Sequence, residues 1–130
     1  MVREMPVYSF IATGWEADPT ARFLGFTNDA SSQYFSMQRE EGSEGIILPN
    51  AENVWIELDD QGWGGHGSIA SLSMDRGGVS VRLTEDMARR LGGYETLRVV
   101  FTFPDSDFHS VRRQLLWVMA GYHAILEIGD

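Results

Sequence analysis

Cysteine and lysine are both absent from the sequence. The first absence excludes disulfides, a thiol nucleophile and any zinc site built on cysteine. It suits a reducing compartment. The second leaves arginine as the sole source of the 10 basic residues, against 19 acidic ones, for a formal charge of −9. That deficit reads as a coding bias toward arginine rather than a physical demand. A long apolar run is missing too. Met1–Pro6 is polar, and the apolar stretch Val7–Ala12 is short and broken by Ser9. Neither a signal peptide nor a membrane span of about 20 apolar residues is legible there. The expectation is a cytoplasmic protein with no membrane contact.

What is present fits one domain spanning 1–130. A chain of 130 residues with 43% hydrophobic and 12% aromatic side chains is too apolar for disorder. At this size roughly two-thirds of the unfolded surface can be buried, so no metal or disulfide staple is needed. The acidity argues against nucleic acid, whose phosphates need a positive surface. It suits a basic protein partner, because opposite fields accelerate and orient docking; the plainer reading is solubility.

Period-two alternation marks strands. Val79, Val81 and Leu83 alternate with Ser80 and Arg82; Leu97, Val99, Phe101 and Phe103 with Arg98, Val100 and Thr102; Val54, Ile56 and Leu58 with Trp55, Glu57 and Asp59. Further strands are expected over 7–13, 22–27, 33–39 and 68–74. Asp75-Arg-Gly-Gly78 is a tight hairpin signal, and Asp60-Gln-Gly62 opens a longer turn. Thr84 is a good N-cap for a short helix that turns Met87 and Leu91 inward and stops at Gly92-Gly93. A longer helix starts at 105–107 and puts Phe108, Val111, Leu115, Val118, Met119 and Tyr122 on one stripe. The fold class expected is therefore α+β: an antiparallel β-sheet with the short helix and the longer C-terminal helix packed on one face. Residues 38–53 read as a long acidic loop with an apolar run at 46–49. The tail 123–130 offers a last edge strand or a self-association surface for a homodimer.

Catalytic chemistry finds little support. His66, His109 and His123 lie far apart, and no G-x-S-x-G elbow is present. Glu57, Asp59, Asp60 and His66 supply oxygen and nitrogen ligands within a short stretch, the basis for an alternative reading as a small metal-dependent hydrolase. No H-x-x-x-H or calcium-loop spacing accompanies them, and a solvated acidic strand end explains them as well. Trp63-Gly-Gly-His-Gly67 is followed by a strand, not a helix, so it is no phosphate cradle; its glycines suit a turn or bulge that leaves Trp63 and His66 projecting. Trp117 falls roughly opposite the apolar stripe of its helix, and Trp55 alternates with buried residues. Tryptophans on polar surfaces are typical interface anchors.

Val54-Trp-Ile-Glu-Leu-Asp-Asp-Gln61, Gly65-His-Gly-Ser-Ile69, Val79-Ser-Val-Arg-Leu83 and Ala88-Arg-Arg-Leu-Gly92 together resemble the immunity protein 10 family of bacterial polymorphic toxin systems. Leu24-Gly-Phe26 and 34–39 resemble the family's earlier strands more loosely. The resemblance runs over residues 22–119 and is strongest over 53–103. His66 and the extension past Met119 depart from the pattern, which bears on binding specificity more than on fold. The resemblance implies a non-enzymatic, cofactor-free cytoplasmic protein that binds and neutralises a cognate toxin. The residues expected to meet the partner are Trp55, Glu57, Asp59, Asp60, Gln61, Trp63, His66 and Trp117. The alternatives are the metal-dependent hydrolase near 57–66 and a self-assembling structural domain.

Overall fold

The computed structural model describes residues 7–18, 20–39, 54–67 and 69–129, with 60–64 described by backbone alone. The acidic loop expected over 38–53 lies outside the described residues from 40 onward; Gln38 and Arg39 still belong to a strand.

The chain enters as β1 (Val7–Ala12), bends at Thr13 and continues as β2 (Gly14–Asp18), β3 (Phe23–Asn28), β4 (Gln33–Arg39), β5 (Val54–Leu58) and β6 (Asp60–His66). The second half holds β7 (Ile69–Asp75), β8 (Gly78–Leu83), α1 (Glu85–Arg90), β9 (Thr96–Phe101), α2 (Asp105–Val118), a 3-10 turn at His123–Ile125 and β10 (Leu126–Ile128). The α+β class is as read from the sequence, but the strands form two five-stranded sheets instead of one. In one, called the second sheet because the chain reaches it after β1 of the first, β2 to β6 lie in chain order and pair antiparallel throughout. The other runs β1-β9-β8-β7-β10, antiparallel at its centre but with β1 parallel to β9 and β10 parallel to β7. Alternation tells which face a side chain takes. It does not tell which strands pair, so the bend at Thr13 that carries the chain from one sheet to the other left no signal.

Three local readings need correction. β2 was not expected, although Trp15 and Ala17 pack against the core while Glu16 is exposed. Of the turn or bulge expected over the glycine-rich stretch, the turn is corrected and the bulge is found. The backbone forms β6, with Gly64 opposite Glu57, Gly65 opposite Ile56 and His66 opposite Trp55, and the register shifts at Glu57/Leu58, where Asp60 stands opposite Leu58. The glycine at 65 serves the approach of α1, since a Cβ there would come within 2.7 Å of the Met87 methyl and 3.0 Å of an Arg90 nitrogen. Thr84 stands at the α1 N-cap but makes no capping bond; its hydroxyl donates to the Gly67 carbonyl at 3.1 Å.

The inward faces of both sheets and both helices contribute to one hydrophobic cluster. Phe26 of β3 stacks on Phe101 of β9 at 5.2 Å, joining the sheets. α2 buries Phe108, Val111, Leu115 and Val118 and contacts β2, β3 and β4, while α1 contacts β6. Phe103 is half-buried, stacked on Phe101 at 4.6 Å rather than sealed in the core, because β9 ends two residues before it. Arg39 points inward from β4 and is 3% exposed. Its Nη1 donates to the Val118 and Ala120 carbonyls at 3.1 and 2.9 Å. A cation there satisfies carbonyls that the helix end leaves without partners and opposes the helix dipole. The hairpin at Asp75–Gly78 forms as expected, with Asp75 accepting from the Gly77 amide at 2.8 Å. Gly78 is obligatory: at φ 154° a Cβ would lie 2.1 Å from the Val99 carbonyl oxygen. The tail becomes β10, an edge strand on β7.

Candidate partner interface

Antiparallel register sorts the second sheet into two faces. Leu24, Phe26, Phe35, Met37, Val54, Ile56 and Leu58 are sealed in the core. The alternate residues point outward: Glu16 on β2; Phe23, Gly25 and Thr27 on β3; Tyr34 and Ser36 on β4; Trp55 and Glu57 on β5; His66 on β6. This outer face joins half-buried aromatics to carboxylates.

Its centre is a hydrogen-bonded cluster. The Trp55 indole N–H donates to Glu57 Oε1 at 3.1 Å, and the Tyr34 hydroxyl donates to Glu57 Oε2 at 3.2 Å. The exposed His66 ring meets Trp55 edge-on at 4.8 Å. Beside the cluster a groove of about 400 Å³ runs between Phe23, Tyr34, Glu16 and Glu57 over Gly25 and Ser36. Among the described residues no basic side chain lines it.

The remaining expected residues lie elsewhere. Asp59 adopts φ 54° where β5 turns into β6. One of its oxygens accepts from the Tyr34 amide at 2.9 Å and the other from the Tyr8 hydroxyl on β1 of the first sheet. Gln33 donates to the same Tyr8 oxygen at 2.9 Å. Burial, followed by the bond to Asp59, raises the Tyr8 phenol above its ordinary pKa. Asp59 is thus a clasp between sheets, not a free steering charge. Trp117 is half-buried with the Arg22 guanidinium 5.2 Å from its ring centroid. Gln114, on the same side of α2, donates to the Asp18 and Phe23 carbonyls at 2.9 and 3.0 Å. That side of the helix faces the β2–β3 hairpin, so Trp117 does not join Trp55. The side chains of Asp60, Gln61 and Trp63 lie outside the described residues.

The structure therefore brings together Trp55, Glu57 and His66 and adds Phe23, Tyr34 and Glu16. Once Trp55 and Glu57 are placed outward, the alternation within β3 and β4 predicts their neighbours; what the sequence hides is that β3, β4 and β5 are adjacent. No group of three or more His, Asp or Glu that could hold a metal occurs among the described residues. Asp18, at the end of β2, has its carboxyl pKa lowered by the Thr20 hydroxyl and amide.

Compared with protein families, curated proteins and solved structures, the chain has no match.

Proposed function

We propose that this chain is an immunity protein that neutralises a cognate toxin in the cytoplasm by protein–protein contact, with the outer face of the second sheet as the docking surface. The observation that carries the proposal is the Trp55–Glu57–Tyr34–His66 cluster on the outer face of that sheet. A half-buried tryptophan held by a carboxylate is a rigid apolar anchor with a polar rim, the composition that concentrates energy at interfaces. The formal charge of −9 favours a basic partner and faster encounter with it. The resemblance to the immunity protein 10 family points the same way. A hydrolytic reading is less well served: both oxygens of Asp59 are taken up by the Tyr34 amide and the Tyr8 hydroxyl in the clasp between sheets. Among the described residues no helix is long and apolar enough to cross a membrane.

The test is co-expression with the product of a neighbouring toxin gene. The protein should restore growth and co-purify with the toxin at a fixed ratio. A toxin that stays lethal and elutes alone would sink the proposal.

A further inference from the structure

The groove on this face has a chemistry narrower than "basic partner". Its floor is open because position 25 is glycine: a Cβ there would sit 3.2 Å from Phe23 Cζ and 3.7 Å from the Ser36 Cβ. Ser36 at the bottom is 8% exposed. Phe23 and Tyr34 supply aromatic walls, and Glu16 and Glu57 supply negative charge. The volume of about 400 Å³ falls within the range of about 300–1,000 Å³ usual for ligand sites.

Glu57 is pre-oriented. Its two oxygens accept from different donors, the Tyr34 hydroxyl and the Trp55 indole. Two bonds on separate oxygens fix the carboxylate plane, and each oxygen keeps a lone pair for a further donor. A fixed carboxylate plane beside aromatic faces suits a planar forked cation better than a point charge. Guanidinium presents parallel N–H donors to both carboxylate oxygens, lies on aromatic rings and is weakly hydrated; ammonium is compact and strongly hydrated. We propose that the groove between Phe23, Tyr34 and Glu57 receives an arginine side chain of the partner protein. This inference rests on the protein-binding reading above and names the partner chemistry at its centre.

The probe is a blocked peptide carrying one arginine between glycines, with a lysine peptide of the same length beside it. Both are titrated into the full chain at low salt and followed by amide chemical shifts. The arginine peptide should bind at least about fivefold more tightly than the lysine peptide. Glu16→Gln with Glu57→Gln should weaken it at least about tenfold. Glu85→Gln with Glu127→Gln removes the same charge from exposed sites outside the groove and should change binding less than about twofold. Gly25→Val fills the floor without altering charge and should abolish binding, with a thermal melt confirming that the variant is folded. Equal losses in the two double variants, equal affinity for lysine, or no binding of the arginine peptide would each overturn the groove assignment. The two proposals fail separately. If the toxin is neutralised normally by the groove variants, the groove falls and the immunity reading stands. If the arginine peptide binds but no toxin does, the groove stands and the immunity reading falls.

Discussion

Replacing Trp55 by alanine removes an indole that is half-buried in the free protein and holds one oxygen of Glu57. If the indole is a docking anchor, toxin affinity should fall by at least about thirtyfold, the equivalent of about 2 kcal/mol. A modest drop in melting temperature should accompany it, because Trp55 lies outside the sealed core. Calorimetric titration and a thermal melt on the same variant separate the two effects; a large melt shift with unchanged affinity would make Trp55 a fold residue. Tyr8 gives the opposite pattern. Its raised pKa means that the fold prefers the protonated phenol. The stability it contributes is therefore present at neutral pH, and it declines as pH rises past the ordinary tyrosine value of about 10 and through the higher folded value. Tyr8→Phe leaves an Asp59 oxygen without its donor, which should cost about 1–3 kcal/mol at pH 7. It should also flatten the alkaline loss of stability. Denaturant midpoints at pH 7 and above pH 10 check both; an unchanged alkaline slope would remove the clasp from the explanation.

At the scale of elements, α2 shows how burial and hydrogen bonding divide the work. Leu115 is fully buried on the apolar stripe, and Leu115→Ala should destabilise by about 2–5 kcal/mol through the transfer and cavity terms. Arg39→Met keeps bulk but strips two bonds from the end of α2. A loss of about 2–4 kcal/mol is expected, since buried carbonyls are left without donors; a loss under about 0.5 kcal/mol in chemical denaturation would show water replacing the guanidinium. The stripe from Phe108 to Val118 was legible because a helix repeats its face every 3.6 residues; Met119 and Tyr122, expected on the same stripe, are buried just past the end of α2. Arg39 was not, because an arginine in the alternation reads as a solvent residue until the helix end above it is known. Strands β5, β8 and β9 were legible from strict alternation. β6 was read as a turn or bulge because glycine signals both; it is a strand with a register shift, and its Gly65 makes room for Met87 and Arg90. Strands at β1 and β10 were expected, but their parallel pairing was not read: no local turn links them to their neighbours, so only tertiary burial sets their direction.

The whole molecule is two sheets closed over one core, with the outer face of the second sheet left to the aromatic and acidic side chains. Trp55 and Glu57 could be found from sequence because alternation put them outward on a strand, and His66 because the glycines around it suggested a turn or bulge that leaves it projecting. Their neighbours Tyr34, Phe23 and Glu16 were missed because the pairing of β2 to β5 was not read, although these strands lie in chain order. Asp59 and Trp117 were chosen for the same residue-type reasons, but the fold uses one as an inter-sheet clasp and covers the other with Arg22. The docking claim is tested most directly by titrating the isotopically labelled protein with its cognate toxin and mapping the amide shifts. The largest changes should fall on Phe23–Thr27, Tyr34–Ser36 and Trp55–Glu57, with the β7–β8 hairpin and α2 nearly still. Changes concentrated on β7–β8 or α2, with β3 to β5 unmoved, would contradict it.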